Sequence, residues 1–187
     1  MLTDLKTAIR PAIVMTLLFA ALLGLAYPAA LTGIGQLAFP AQANGSLIRE
    51  GDRVIGSALI GQRFSGAGYF HGRPSAAGAE GYDASASAGS NLGPTSQALA
   101  DRVKADPARM PGQSVPADLV TASASGLDPH ISPEAALSQT ARVAAARDIP
   151  VERLRALVAE QTETPLFGFL GERRVNLLAL NRALDRL

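Results

Sequence analysis

The chain has 187 residues, 17 Lys and Arg against 16 Asp and Glu, and neither Cys nor Trp. Near-neutrality excludes the basic patch or stripe of a nucleic-acid binder, and the lack of Cys excludes disulfides and thiolate metal sites. With 48% apolar but only 5% aromatic residues, the composition predicts an aliphatic, Ala-rich core held without covalent staples rather than disorder.

From Pro11 to Ile48 there is no Asp, Glu, Lys, Arg or His. The first half of that run is apolar almost all round, and a helix crossing the hydrocarbon core needs about 20 such residues. One isolated span can satisfy its backbone only as a helix. Tyr27 is placed as an interfacial anchor and Pro28 as the stop. Lys6 and Arg10 precede the run and the next basic residue is Arg49, and positive flanks stay in the cytoplasm. The expected organisation is a cytoplasmic N-terminus over 1–11, a transmembrane helix over 12–31, a connector over 32–43 and an extracytoplasmic domain over 44–187. A cleaved signal peptide is the competing reading. However, Ala41-Gln42-Ala43 lies too far beyond the apolar run, and the run exceeds the roughly 7–15 residues of a signal core.

Beyond the connector, Gly45–Arg49 and Arg53–Ile60 flank Glu50-Gly51-Asp52 and predict a β-hairpin. Gly56 within the second run predicts a bulge or a close backbone approach. Gly72–Pro94 follows neither period and reads by composition as a linker, although a long loop in a compact domain is usually functional or disordered. Thr95 or Ser96 caps a helix through about Ala105, with Leu99 and Val103 inward, ended by Asp106-Pro107.

Val115–Thr121 is a short apolar segment. Ser132-Pro133-Glu134 then combines an N-cap, Pro at N1 and an acid in the first turn, starting a helix to about Arg147 with Leu137, Ala141 and Ala144 on one face. Pro150 begins the next helix, Val151–Gln161, with Leu154, Leu157 and Val158 toward the core. Pro165–Gly171 is a Phe/Gly loop. Asn176 caps a last helix with Leu177, Leu180 and Leu184 on one side. The fold class is a single N-terminal transmembrane helix plus one α/β (α+β) extracytoplasmic domain with a small sheet and several C-terminal helices, strands first and helices later.

Catalytic signatures are sparse. Ser125, Asp128 and His130 supply the residue types of a triad, but triad members usually converge from separate elements. There is no G-x-S-x-G elbow and no phosphate-cradling loop. Two isolated His without Cys make a poor zinc site. Two Gly/Ser-rich segments, Tyr82–Pro94 and Thr121–His130, stand out instead. They read as contact surface for other proteins, with Ser90, Asn91, Gly93, Ser125, Gly126, Asp128 and His130 as candidate partner contacts. The alternative is two internal loops that fix each other.

Several runs resemble one family. They are Gly56–Gln62, Tyr69–Ser75, Gly89–Thr95, Val115–Thr121, Ser125–Ala136 and Val175–Asn181. In this order, behind an N-terminal span, they are similar to the C subunit of the Kdp-type potassium-transporting ATPase of bacteria. The resemblance implies an accessory, non-catalytic subunit of a high-affinity, ATP-driven potassium uptake complex. It would assemble or stabilise the complex and act as a catalytic chaperone raising the ATP affinity of the hydrolysing subunit. Implied partners are a potassium-translocating subunit, an ATP-hydrolysing P-type subunit, a small stabilising subunit and membrane lipid, with no nucleic acid. The implied location is the inner membrane, with the C-terminal domain periplasmic. The chain lacks an Asp-Lys-Thr-Gly-Thr phosphorylation motif, so it cannot form an aspartyl-phosphate itself; the resemblance implies no cofactor of its own, with ATP entering only through the complex. Two other classes remain as alternatives: an anchored periplasmic hydrolase using Ser125, Asp128 and His130, and a solute-binding module.

Retention of residues 12–31 in the mature protein is directly measurable. Intact-mass analysis of the native protein is expected to include the span, and a mature N-terminus at Leu31 or Asn44 would contradict it.

Overall fold

The computed structural model describes residues 2–105 and 115–187, in two compact units that divide between Leu47 and Ile48. The expected end of a helix at Asp106-Pro107 lies outside the described residues.

The first unit is helical. α1 (Leu2–Ala21), a widened turn over Leu22–Ala26 and α2 (Tyr27–Ala38) run on as one segment. Its 33 residues from Lys6 to Ala38 are long and apolar enough to cross a membrane, and its most apolar stretch is unburied. The expected stop at Pro28 is therefore corrected: the helix continues past it to Ala38, into the stretch read as a connector. The widened turn is the physical reason. The Tyr27 N–H donates to the Leu22 carbonyl, five residues back. That extra residue makes room for the Pro28 ring, which in a regular helix presses on the carbonyl four residues before it. Tyr27 accordingly sits in mid-helix. The helix breaks only at Phe39 (φ −136°, ψ 56°), because a residue before Pro is pushed out of the helical region. Pro40 then opens the short α3 (Pro40–Ala43).

The second unit begins with the predicted hairpin, β1 (Leu47–Glu50) and β2 (Arg53–Ser57), turning through Gly51 at φ 58°. Gly56 is a close approach: the Gln62 side chain occupies the place of its Cβ and donates to the Ile55 carbonyl at 3.0 Å. α4 spans Gln97–Ala105, with Leu99 and Val103 half-buried.

The main sheet is not where the sequence places it. β3 (His130–Ile131), β4 (Thr162–Glu163) and β5 (Arg174–Asn176) form an antiparallel sheet of order β3-β5-β4 among the C-terminal helices. His130 pairs with Asn176, and Thr162 with Val175. Strands of two or three residues are too short to show a period of two, so strands-first is corrected to strands interleaved with helices.

α5 (Pro133–Arg147) and α7 (Leu177–Leu184) pack on this sheet, and α6 (Val151–Glu160) packs on both helices. The caps are those read from sequence: Ser132 Oγ accepts from the Ala135 N–H at 3.0 Å, and Asn176 Oδ1 from the Ala179 N–H at 3.1 Å. The α6 and α7 core faces are also as read, whereas that of α5 is corrected in part, Ala144 being buried as read. Leu137 and Ala141 are exposed, and Ala136, Gln139, Thr140 and Val143 are buried. The surplus of Ala around α5 hides its stripe, and two of its inward residues are polar.

Gln139, with Asn181 of α7, holds the core together. Phe70 is fully buried at the centre of an extended segment with no neighbouring strand. Asn181 of α7 accepts from the Phe70 N–H at 2.9 Å and donates to the Phe70 carbonyl at 3.0 Å. Gln139 of α5 repeats this on His71, at 2.8 and 3.0 Å. Arg142 donates to the Ala67 and Tyr69 carbonyls, and Arg147 to that of Gly68. The Arg147 guanidinium also lies 4.5 Å from the centroid of the Tyr69 ring. Each amide side chain thus does for one residue what a neighbouring strand does for a ladder.

Asn181→Ala leaves the buried N–H and carbonyl of Phe70 without partners, at about 1–2 kcal/mol each. Urea unfolding of the detergent-solubilised chain should lose about 2–4 kcal/mol in total, and an unchanged midpoint would contradict the clamp.

Candidate functional site

The linker-like Gly72–Pro94 stretch is folded against Thr121–His130, and the contact is built from few side chains. Arg73 donates from Nη1 to Asp128 Oδ2 at 3.1 Å and lies 3.5 Å from both the carbonyl and the hydroxyl of Thr121. Ser75 donates to the Gly126 carbonyl at 2.6 Å and accepts from the Ala77 and Tyr82 N–H groups. The Tyr82 hydroxyl donates to the Arg73 carbonyl at 2.7 Å. Burial first, and then the Asp128 charge, push this phenol up to about 12, so it stays a donor at any physiological pH.

Glycine lets the two backbones meet. Gly126, at φ 68°, is buried, and a Cβ there would stand 2.6 Å from the Ala88 carbonyl. Gly89 approaches the Ala124 carbonyl in the same way. The Ala88 N–H and the Ser87 hydroxyl both donate to the Ser125 carbonyl, at 3.0 and 2.9 Å.

The seven candidate contacts therefore separate. Gly126 faces inward, while Asp128 and His130 are half-buried. Ser125 is exposed, but its hydroxyl accepts from the Leu127 N–H in a local turn. Asn91 and Gly93 are exposed with Ser90 half-buried beside them; Gly93 has open space around it, and Asn91 adopts φ 52°. Together with Leu92, 90–93 forms an outward part of the pair of segments, as do the exposed residues Asp83–Ala88.

Ser125, Asp128 and His130 are not brought together as a triad. Asp128 Oδ1 accepts from the His130 backbone N–H at 3.0 Å, with the His130 ring Nδ1 at 3.6 Å, and Oδ2 is taken by Arg73. Among the described residues no hydrogen bond joins Ser125 to His130. His130, by ring and backbone, and then Arg73 hold the Asp128 carboxyl below its ordinary range against the opposing effect of burial.

Asp128 and His130 instead form one wall of an open cleft of about 730 Å³. Arg73, Asp118, Glu134 and Arg173 also line it. Asp118 fixes the start of α5, accepting from the Ser132 N–H at 2.6 Å and from the Ser132 hydroxyl at 3.2 Å. No group of three or more His, Cys, Asp or Glu among the described residues could hold a metal ion. The cleft thus offers fixed charges of both signs and no activated nucleophile, an arrangement suited to binding.

Sequence reasoning missed Arg73, Ser75, Tyr82 and Asp118 as organising residues. Arg73 and Tyr82 did carry a signal: they are the lone basic residue and the lone ring of the small-residue stretch 72–94.

Residues 9–186 match the family described as K+-transporting ATPase, c chain (KdpC). The chain is 60% identical to the potassium-transporting ATPase KdpC subunit of Caulobacter vibrioides, over 95% of this chain and 92% of that protein. It is 56% identical to the subunit of the same name from Polaromonas naphthalenivorans, over 98% and 96%. A third relative of that name, from Acidobacterium capsulatum, is also 56% identical, over 96% and 98%.

Because the folded Asp128 carboxyl lies below its ordinary value, its stabilising contribution is complete above about pH 4. That contribution is lost as pH falls through the folded value. Stability of the wild-type chain should therefore decline on acidification below about pH 4, and Asp128→Asn should flatten that limb. Thermal unfolding against pH measures it, and identical acid limbs would contradict the assignment.

Proposed function

The chain belongs to the KdpC family, the c chains of K+-transporting ATPases, and from that premise we propose that it is the membrane-anchored assembly subunit of such a complex. It is a non-catalytic, accessory subunit of a potassium uptake system. The observation that carries this reading is the family match over 9–186, which takes in the apolar helix and the domain alike.

In this reading residues 1–11 are cytoplasmic, 12–31 cross the inner membrane within the longer helix, and 44–187 are periplasmic. The lysine and arginine before the span and the absence of any basic residue until Arg49 support that orientation. The partners are the potassium-translocating subunit, the ATP-hydrolysing P-type subunit, a small stabilising subunit and lipid. The domain docks through the outward segment 90–93. Asn91 and Ser90 offer hydrogen bonds there without the penalty of burying a charge, on a platform held by Arg73, Ser75 and Tyr82. The two Gly/Ser-rich segments thus fix each other on one side and present a partner surface on the other.

A chaperone effect on ATP affinity would have to be transmitted. With the bulk of the chain outside the cytoplasm, this subunit raises ATP affinity only by favouring one state of its partner, a coupling between distant sites. It holds no nucleotide of its own. The hydrolase alternative is not favoured, since the serine it needs is engaged in a turn.

Replacing Asn91→Gly together with Leu92→Lys keeps a residue tolerant of positive φ and disturbs only the exposed segment. Thermal unfolding of the chain should be unchanged, while its co-purification with the transport subunits should fall. A lowered unfolding temperature with intact co-purification would overturn the docking assignment.

A further inference from the structure

Pro165–Gly171, Pro-Leu-Phe-Gly-Phe-Leu-Gly, joins β4 to β5 and is used by nothing described so far. A loop of this length need only be polar to reverse the chain. Instead Phe167 is 79% and Phe169 74% exposed, with Leu166 and Leu170 exposed on either side. The two rings stack at 6.4 Å between centroids, so they stand together as one apolar tip. No side-chain polar atom occurs between Thr164 and Glu172.

The middle of the tip also bonds to itself through its backbone. The Gly168 N–H donates to the Pro165 carbonyl at 2.9 Å, and the Phe169 and Leu170 N–H groups donate to the Leu166 carbonyl at 3.4 and 3.0 Å. In water such bonds are optional, because solvent would serve. In hydrocarbon they are required, because nothing else can satisfy an N–H. Holding them places Phe167 at φ 54°, beside Gly168 at φ 79°. A bulky residue in that region is strained, and strain of this kind concentrates at functional positions.

We propose that Pro165–Gly171 is a membrane-docking wedge that inserts Leu166, Phe167, Phe169 and Leu170 into the apolar edge of a lipid bilayer. The chain already carries one segment long and apolar enough to cross a membrane, so the wedge continues a contact the protein makes. Only residues 39–46 lie between that helix and the hairpin, and such a short tether keeps the domain at high effective concentration near the surface. Charge complements the surface as well. The tip is uncharged, and Arg173 at its base makes no ion pair with any described residue, leaving its guanidinium for lipid phosphate. Arg174 is held by Glu163 at 2.8 Å, which stiffens the stem of the loop. An exposed tip free of side-chain polar atoms offers a protein groove no polar side chain to read, which favours lipid as its occupant.

The inference rests on the membrane-anchored reading, and the test separates the two. Phe167→Trp gives the full chain its sole Trp. The variant is reconstituted in phosphatidylcholine–phosphatidylglycerol vesicles with and without acyl-brominated lipid, beside Leu92→Trp as a reporter on the 90–93 surface. The expected result is blue-shifted emission at 167 that is lost in brominated vesicles, with emission at 92 little changed. Equal quenching at the two positions, or emission at 167 that shifts only when the transport subunits are added, overturns the wedge. Should Phe167→Trp fail to fold, Phe169→Trp reads the same tip. Flotation of the chain with the vesicles is scored independently: failure to float overturns the anchor and the wedge together, whereas flotation without quenching at 167 overturns the wedge alone.

Discussion

Two buried carboxamides carry the domain. Asn181 and Gln139 each grip one residue of the Phe70-His71 pair by both its N–H and its carbonyl. Because Phe70 is fully buried, its backbone cannot turn to solvent, and an unpaired buried amide is among the more expensive defects a fold can carry. The clamps come from different helices, α7 and α5, so they also set where those helices stand relative to the segment between them. The arginines on the same segment bind carbonyls, a use of charge that survives partial burial because the guanidinium has several donors to distribute.

From that grip the irregular half of the domain follows. The chain leaves His71 toward Arg73, whose ion pair with Asp128 fixes Thr121–His130 opposite it, and Ser75 and Tyr82 close the turn behind. The consequence is a long segment of Gly, Ala and Ser that is ordered without regular hydrogen-bond ladders. Its order comes from a few polar side chains aimed at backbone groups, and from glycine at Gly126, where backbone must touch backbone. The surface it offers outward is Asp83–Ala88 together with Asn91–Gly93, flanking the half-buried Gly89 and Ser90.

How far this could be read from the sequence depended on whether the signal was local. Ser132-Pro133-Glu134 and Asn176 announce helix starts through chemistry contained in a few residues, and both caps form as read. The Glu50-Gly51-Asp52 turn does the same for the hairpin. The three short strands at 130, 162 and 174 had no such marker, since their pairing depends on partners up to 46 residues apart (His130 and Asn176). Likewise Gln139 looks like an ordinary solvated helix residue until the carbonyl it serves, 68 residues away, is known. The family resemblance rested on motif order rather than on any single interaction, which is why it identified the chain while leaving the site geometry unread. Among the seven candidate contacts, composition alone could not separate Gly126, turned inward, from Gly93, turned out.

The widened turn at Leu22–Ala26 changes the arithmetic of the helix that contains it. An α-helix advances about 100° per residue, and one extra residue in a turn shifts everything beyond it by that amount. The helical segment is therefore two ribbons out of phase. Residues before Leu22 and after Ala26 that share a stripe on a regular helical wheel lie on different sides of the real one, and residues that look unrelated on the wheel line up. Any neighbour packed along its whole length must read two different faces of the sequence. A single deletion inside the turn would return its bonds to the regular four-residue spacing and leave the two halves facing as they do, whereas a deletion elsewhere in the helix would turn one half against the other, so the span tolerates the loss of a residue only at the widened turn.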